Sequence, residues 1–249
     1  MSDSLGGKVA VVIGGTGGIG AATSRQFAAA GARVVVVAQS SLEKADAVIQ
    51  SLPGSGHMSA VADITDSAVL KDLAQSVRER MGRTDVLVNT AGFTKPIRHG
   101  DLDALTDELI DEILKVNWRA QFATIRAFRP LLEATGNGLV VNVSSLAATS
   151  GVGSNVAYCA AKAGLDVMAK SLGRALAPHI RVVNVSPGVV DTAFVPGRAA
   201  GFNERVAETT PLKRIGTPDD VAAAVLACAT HLTFSTGVTV TIDGGRGLT

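Results

Sequence analysis

Several residue types that carry chemistry are scarce in this chain. Its 249 residues include one tyrosine and one tryptophan, and aromatic residues make up 4% of the total. The two cysteines, Cys159 and Cys228, have no metal-ligand spacing, and the histidines are scattered: His57, His99, His179 and His231. We therefore expect no metal site and two reduced thiols in place of a disulfide. Reduced thiols predict a cytoplasmic protein.

Strong charge and long hydrophobic segments are also missing. Twenty-three basic and 22 acidic side chains leave a formal net charge of +1, without a block of like charge. This balance argues against a nucleic-acid partner. No uninterrupted apolar run approaches the roughly 18 residues of a membrane span, so we expect no membrane partner. The N-terminal residues, with Asp3 and Lys8 before the first apolar run, do not resemble a secretion signal.

What the chain does contain is a series of short apolar runs that alternate with helical patterns. Hydrophobic residues make up 47% of the sequence, enough for a large buried core. The predicted strands are Val9–Ile13, Val34–Val37, Met58–Val61, Val86–Val88, Leu139–Val143, Val182–Val185 and Val238–Ile242. The predicted helices are Ile19–Ala30, Leu42–Leu52, Ser67–Met81, Leu105–Leu132, Val156–Ala177 and Asp219–Ala229.

Continuous apolar strands between helices are typical of a parallel sheet that is covered on both faces. We predict one α/β domain over residues 1–249, with a doubly wound parallel β-sheet of about seven strands, as in the Rossmann fold. Residues 189–216 are loosely patterned and contain two prolines and two glycines besides Gly216. A loop of that length is typical of a lid or substrate loop.

A glycine turn follows the first predicted strand. The segment from Lys8 to Gly20 reads KVAVVIGGTGGIG, with Gly14, Gly18 and Gly20 in the spacing G-x-x-x-G-x-G. A buried strand that leads through glycines into a helix forms an anion site, because free N–H groups and the positive end of the helix dipole converge there. This pattern predicts a bound phosphate, although glycine turns also serve other cofactors.

A second group of polar residues follows the fifth predicted strand. Ser145 lies just beyond its carboxyl end, and Tyr158 and Lys162 are spaced i and i+4 on a predicted helix. A phenol has a pKa of about 10, and lowering it by two to three units takes roughly 3–4 kcal/mol. A cation about 4 Å away supplies on the order of 4 kcal/mol. We predict that Lys162 lowers the pKa of Tyr158 and that Ser145 hydrogen-bonds the substrate oxygen.

Together these residues resemble the short-chain dehydrogenase/reductase family over essentially the whole chain. The matching positions, in order, are the three glycines, Asp63, the segment Asn89-Thr90-Ala91-Gly92, Asn117, Ser145, Tyr158, Lys162, the segment Pro187-Gly188, the segment Val190-Asp191-Thr192, and the last strand with Asp243-Gly244-Gly245. Three departures are Ile13 in place of a common threonine, Ala161 in place of a frequent serine, and the absence of a glycine from Leu146-Ala147-Ala148.

The resemblance implies hydride transfer between NADP(H) or NAD(H) and a carbonyl or secondary alcohol. It makes Tyr158 the general acid/base, Ser145 and Lys162 its catalytic partners, and Asn117 the holder of a water in a proton relay. Asp63 would contact the adenine and Thr192 the nicotinamide carboxamide. The implied cofactor contacts are Gly14, Thr16, Gly17, Gly18, Ile19, Gln39, Ser40, Ser41, Asp63, Ile64, Asn89, Ala91, Gly92, Tyr158, Lys162, Pro187, Gly188, Val190 and Thr192.

The choice between NADP and NAD rests on the end of the second predicted strand. An acid there binds the ribose hydroxyls of NAD, and we align Ala38 with that acid. Ser40, Ser41 and Lys44 could instead bind a 2′-phosphate, which favours NADP, although Ser40 could equally cap a helix. The glycine turn carries no basic residue, so NAD stays an alternative.

Two other functions stay open on the sequence. One is a 3-oxoacyl-thioester reductase, which would need a basic surface for a carrier protein, with Arg98, Arg129, Lys213 and Arg214 as candidates. The other is a dinucleotide-binding sensor or scaffold without turnover, which would not need all four predicted catalytic residues. The substrate would be a small molecule, and the family resemblance implies a homotetramer or homodimer.

Overall fold

The computed structural model describes residues 4–197 and 199–249. Seven strands form one sheet in the order β3-β2-β1-β4-β5-β6-β7, and every pair is parallel. The strands are Val9–Ile13 (β1), Arg33–Ala38 (β2), Met58–Val61 (β3), Val86–Asn89 (β4), Gly138–Val143 (β5), Ile180–Pro187 (β6) and Thr239–Ile242 (β7). The predicted doubly wound fold is confirmed.

Helices lie between the strands and on both faces of the sheet. The α-helices are Gly18–Ala29 (α1), Leu42–Gln50 (α2), Ser67–Met81 (α3), Asp107–Leu114 (α4), Ala120–Glu133 (α5), Ala147–Ser150 (α6), Val156–Ala175 (α7), Phe202–Thr209 (α8) and Pro218–Thr230 (α9). A π-helical turn, Lys115–Arg119, joins α4 to α5, and a 3₁₀ turn, Arg246–Leu248, follows β7.

Alternation along the strands divides the core into two layers. Val9, Val11 and Ile13 of β1 belong to the cluster that packs under α3, α5 and α7, whereas Ala10 and Val12 belong to the cluster under α1, α2 and α9. All five residues are buried. A strand that packs on both faces needs an apolar side chain at every position, which explains the continuous apolar runs.

Two predicted boundaries are wrong. The segment Leu105–Leu132 is not one helix: the Thr106 side chain caps α4, and the π turn at Lys115–Arg119 interrupts the regular hydrogen bonding. Residues 189–216 are not a continuous loop, since they contain α8. The ends of this lid segment are fastened together, because Gly216 N donates to Val189 O at 2.9 Å and Asp191 N donates to Gly216 O at 2.9 Å.

Candidate active site

The glycine turn between β1 and α1 leaves its backbone open. Gly14 has a φ of +74°, and a Cβ there would lie 2.8 Å from the Ala91 amide nitrogen. Gly17 caps α1, and the N–H groups of Gly18 and Ile19 have no acceptor among the described residues. These amides stand at the positive end of a 12-residue helix, so the cradle suits the pyrophosphate of a dinucleotide.

Thr90 supplies the hydroxyl that Ile13 does not provide. Its Oγ1 donates to Ile13 O at 2.7 Å and lies 3.2 Å from Gly14 O. The turn is therefore pinned from the end of β4. Thr90 was not among the predicted site residues, although the segment Asn89–Gly92 pointed to its neighbourhood.

The end of β2 differs from the prediction in two respects. Ala38, which we aligned with the acid of NAD-binding proteins, is 3% exposed as the last strand residue. Gln39 and Ser40 are the first exposed residues after it. Ser41, and not Ser40, caps α2 by accepting from Lys44 N at 3.3 Å. The Ser40 side chain therefore does not cap the helix.

The predicted adenine contact, Asp63, is exposed in the turn after β3. Its carboxylate accepts a hydrogen bond from Thr65 N at 2.9 Å. This backbone hydrogen bond is the main cause of a lowered pKa for Asp63. The next residue, Ile64, is buried, so Asp63 is the member of this pair whose side chain is exposed.

The helix α7 places Tyr158 and Lys162 on one face. Asn155, which sequence reasoning missed, caps α7: its Oδ1 accepts from Tyr158 N at 2.7 Å and its Nδ2 donates to Lys95 O at 2.8 Å. The cap thus fixes Tyr158 in the first turn and ties it to the 94–95 segment. An asparagine three residues before the tyrosine was the sequence signal that could have revealed this role.

Tyr158 is a buried phenol. It is 9% exposed, and burial raises its pKa to about 12, while its interaction with the Ser145 hydroxyl acts in the opposite direction. The net shift is therefore opposite to the predicted lowering, because the desolvation of the phenol by burial is the largest effect. The Lys162 ammonium lies 5.6 Å from the centre of the Tyr158 ring and donates to Val143 O at 2.7 Å.

Lys162 itself is a buried cation. It is 4% exposed, and burial lowers its pKa to about 8. Asp166, one helical turn further along α7, opposes that shift. At pH 7 the ammonium form therefore predominates and faces the phenol across a short distance.

The π turn directs two amide side chains at the loop after β4. Asn117 accepts from Phe93 N at 3.2 Å and donates to Phe93 O and Ile113 O at 2.7 and 2.9 Å. Gln121 donates to Ala91 O at 2.6 Å. Both donors of Asn117 are taken, so its side chain clamps the 91–93 segment. The role of Asn117 in a water relay stays a prediction.

Three asparagines form a buried ladder below the site. Asn89 in β4, Asn142 in β5 and Asn184 in β6 are register partners on adjacent strands. Asn89 Nδ2 donates to Asn142 Oδ1 at 2.9 Å, and Asn142 Nδ2 donates to Asn184 Oδ1 at 3.0 Å. Asn184 in turn donates to Asp166 Oδ1 at 2.9 Å. The ladder links the strand that precedes the Gly92 loop to the helix that carries Lys162.

Breaking this ladder should destabilise the fold. We expect Asn142→Leu to lower the free energy of unfolding by about 2–4 kcal/mol, because it leaves the buried amides of Asn89 and Asn184 without their partner. Urea unfolding measures the change. Asn137→Leu, the same substitution at an exposed position before β5, should stay within about 0.5 kcal/mol. Equal losses in the two variants would contradict the role of the ladder.

One cavity of about 640 Å³ brings the predicted residues together. Ser145, Tyr158 and Lys162 line it beside these predicted cofactor contacts: Ile19, Gly92, Pro187, Gly188, Val190 and Thr192. Residues of the 189–216 segment line the cavity beside them, with the ring of Phe194 centred 6.0 Å from that of Tyr158. Thr192 reaches the glycine turn, since a Cβ on Gly18 would lie 3.0 Å from its methyl carbon.

The other predicted contacts do not line this cavity. They lie at the glycine turn, at the ends of β2 to β4 and in the π turn: Gly14, Thr16, Gly17, Gly18, Gln39, Ser40, Ser41, Asp63, Ile64, Asn89, Ala91 and Asn117. All the strands end at the same edge of the sheet, where ligands of open α/β sheets bind. Within residues 4–197 and 199–249, no three His, Cys, Asp or Glu side chains form a possible metal site.

Comparisons with known proteins agree with this geometry. A family model described as enoyl-(acyl carrier protein) reductase matches residues 14–246. A short-chain dehydrogenase/reductase of the glucose/ribitol dehydrogenase type from Brucella melitensis has a TM-score of 0.90 and 29% identity, with 99% of each chain covered. The chain belongs to the short-chain dehydrogenase/reductase family. A dehydrogenase/reductase from Sinorhizobium meliloti is equally similar, with a TM-score of 0.88, 33% identity, and 98% and 97% of the two chains covered.

Curated members of the family are similar over the whole chain. A Streptomyces violaceoruber protein named ketoacyl reductase 2 of the granaticin polyketide synthase is 38% identical over 99% of both chains. The 3-oxoacyl-[acyl-carrier-protein] reductase of Thermotoga maritima is 34% identical over 97% of this chain and 98% of its own.

These similarities establish an oxidoreductase that acts on a carbonyl or CH–OH group with a nicotinamide cofactor. The alternative of a non-catalytic sensor or scaffold is not supported. No helix of the described residues is long and apolar enough to cross a membrane.

Proposed function

We propose that this enzyme reduces carbonyl compounds with NADPH and that Tyr158 is the proton donor. The observation that carries the proposal is that Tyr158, Ser145 and Lys162 share one cavity with Gly92, Gly188 and Thr192. When bound, NADPH supplies a hydride to the carbonyl carbon. The Tyr158 hydroxyl donates its proton to the carbonyl oxygen, and Ser145 hydrogen-bonds that oxygen as negative charge develops.

Tyr158 enters the reduction as a protonated phenol. Its hydroxyl keeps its proton at neutral pH, as an ordinary phenol does, and burial raises its pKa further, to about 12. The charged Lys162 beside it stabilises the phenolate that forms. In the reverse reaction the phenol must first lose its proton, which this burial opposes.

The proposed cofactor is NADP in preference to NAD. Between residues 38 and 41, where β2 ends, the chain has no carboxylate to repel a 2′-phosphate. Gln39 and Ser40 are exposed there, and Lys44 follows in the first turn of α2. The amides at the start of α1 offer their free N–H groups to the pyrophosphate.

NADPH absorbance tests both proposals, with a panel of ketones, sugars and acyl thioesters as substrates. For a compound that is reduced, we expect a Michaelis constant about tenfold lower for NADPH than for NADH. Gln39→Asp should raise the Michaelis constant for NADPH at least about tenfold, because the new carboxylate repels the 2′-phosphate. Gln39→Asn introduces a side chain of the same size as aspartate without its charge, and it should change this constant less than about twofold. A lower constant for NADH in the wild type would refute the cofactor choice.

The reductases among the curated relatives favour a 3-oxoacyl thioester as one candidate substrate. Of the four basic residues considered for a carrier protein, Arg98 is exposed and forms no ion pair among the described residues, whereas Arg214 pairs with Asp220 and Arg129 with Glu133. Lys213 donates to Glu208 O at 2.9 Å. These pairings leave a weak basic surface, so we rank a small free substrate above a carrier-bound one.

The proposed assembly is a homo-oligomer, a tetramer or a dimer. An apolar groove on α5 and α7 and the π turn supports it, with Trp118 and Val167 39% and 61% exposed. Soluble monomers rarely leave such a patch uncovered. The cytoplasmic location and the lack of nucleic-acid or membrane partners stay predictions from composition.

A further inference from the structure

The segment after β7 forms part of the cavity wall, which the sequence did not predict. Arg246, Gly247 and Thr249 all line the cavity. Asp243 fixes their backbone, because its Oδ1 accepts from Gly245 N at 2.9 Å and its Oδ2 accepts from Gly247 N at 2.7 Å. The turn that carries Arg246 is therefore held rigidly at the cavity.

This turn packs closely against both sides of the cavity. A Cβ on Gly188 would lie 3.0 Å from Asp243, and a Cβ on Gly247 would lie 3.1 Å from the side chain of Leu146. On the lid side, Leu212 N donates to Gly244 O at 3.1 Å. The turn thus joins the wall beside Ser145 to the lid segment.

The side chain of Arg246 reaches from this turn to α8. Its Nη1 donates to Thr209 Oγ1, at the end of α8, at 3.0 Å. Among the described residues, its guanidinium has no other hydrogen bond and no ion pair. Arg246 is partly buried, and one hydrogen bond leaves four of the five guanidinium donors available to a ligand in the cavity that this residue lines.

Arg246 forms no ion pair among the described residues, because the carboxylate of its own turn, Asp243, accepts from Gly245 N and Gly247 N instead. Among the described residues that line the cavity, Lys162 and Arg246 are the charged side chains, and none is acidic. Lys162 is committed to Val143 O and to the phenol of Tyr158. The remaining wall is largely apolar, with Leu146, Val152, Phe194, Val195, Phe202 and Val206.

From this arrangement we infer that Arg246 is a specificity residue, which selects substrates that carry an anionic group at the end remote from the reacting carbonyl. The inference rests on the proposed carbonyl reduction. A guanidinium presents parallel donors that match two oxygens of a carboxylate or phosphate, and the apolar wall suits the hydrocarbon between the two ends. The anion could belong to a free oxo acid or to the phosphate-bearing arm of an acyl thioester.

Matched substrate pairs separate these sources. One arm compares oxo acids, whose carbonyl lies at a carbon from 3 to 8, with the methyl esters of the same acids. The other compares a 3-oxoacyl coenzyme A with the same acyl group on N-acetylcysteamine, which lacks phosphate. For at least one pair, we expect the wild type to prefer the anionic member about tenfold or more in kcat/KM. The arm that shows the preference identifies the source of the anion.

Variants assign the preference to Arg246. Arg246→Gln should raise KM for the anionic member about tenfold with little change in kcat, and change the neutral member less than about twofold. Arg246→Lys should retain part of the preference, because it keeps the charge without the fork of donors. Arg80→Gln, the same substitution at an exposed site on α3, should leave both members unchanged.

Three outcomes would overturn the inference. They are a wild type that favours neither anionic member, a wild type that reduces only uncharged carbonyls, and an Arg246→Gln variant that loses the same factor on both members of the pair. In each case carbonyl reduction still occurs, so the proposed function stands. A wild type that reduces no carbonyl compound at all overturns the proposed function and the inference together. Unchanged NADPH binding in every variant confirms that the folds are intact.

Discussion

Tyr158→Phe should lower kcat/KM for carbonyl reduction by about 10³–10⁴, because it removes the only proton donor that we place at the carbonyl oxygen. The ring stays, so its contact with Phe194 and the shape of the cavity are kept. Binding of NADPH, measured by its fluorescence, should change less than about threefold. Absorbance of NADPH in steady state measures the loss of turnover.

The split between turnover and binding is the decisive part of this result. A residue that only filled space would tolerate phenylalanine, since the variant loses one oxygen from a side chain that is 9% exposed. Turnover within tenfold of the wild type would therefore show that another group protonates the oxygen. Loss of NADPH binding would show that the hydroxyl acts on the cofactor.

Lys162→Met should have effects of opposite sign on activity and stability. We expect kcat/KM to fall at least about 100-fold, because the phenolate that forms on Tyr158 loses its neighbouring charge. At pH 7 we expect the free energy of unfolding to rise by about 1–2 kcal/mol. An ammonium that is 4% exposed carries a desolvation cost that methionine lacks, although its hydrogen bond to Val143 O is lost.

The gain in stability should depend on pH in a defined direction. The pKa of Lys162 falls from 10.5 to about 8 on folding, a cost of about 3 kcal/mol at 1.36 kcal/mol per unit. That cost is fully present below pH 8, where Lys162 is charged in both the folded and the unfolded protein. It is lost as the pH rises from about 8 to 10.5, because the folded protein binds fewer protons than the unfolded chain in that window.

Urea unfolding of the wild type and Lys162→Met at pH 7 and at pH 10 measures this difference. We expect the stability of the variant relative to the wild type to fall by about 2 kcal/mol or more from pH 7 to pH 10, so that its advantage disappears. Other groups titrate in both proteins and cancel in the comparison. An advantage that stays constant with pH would show that Lys162 is not desolvated in the folded protein.

Much of the fold was predictable because the sheet is buried on both faces. Every position of β1 is apolar and buried, so the strand can be read from composition without knowing its neighbours. The break between α4 and α5 was not predictable in the same way. The apolar pattern continues through Lys115–Arg119, whereas Asn117 in the π turn and Gln121 just after it hydrogen-bond the loop after β4, which is distant in the chain.

The same distinction between local and distant contacts holds for the candidate site. Local spacing placed Tyr158 and Lys162 on one helical face, and the glycine turn was evident because its glycines follow an apolar strand at a regular spacing. The cap at Asn155 also had a local signal. The pKa of Tyr158 had no local signal, because burial sets it, and Tyr158 is buried in a cluster with Ile113 and Phe93, which lie far from α7 in the sequence.

The sequence by itself determined the family, the parallel sheet and the residues that meet at its carboxyl edge, because short-range spacing and side-chain type carry that information. Only the tertiary structure decided that burial raises the pKa of the phenol, that three asparagines join the strands below the site, and that Arg246 reaches the cavity. Each of these depends on atoms brought together from distant parts of the chain, where desolvation and hydrogen bonding are set by neighbours that no local pattern specifies.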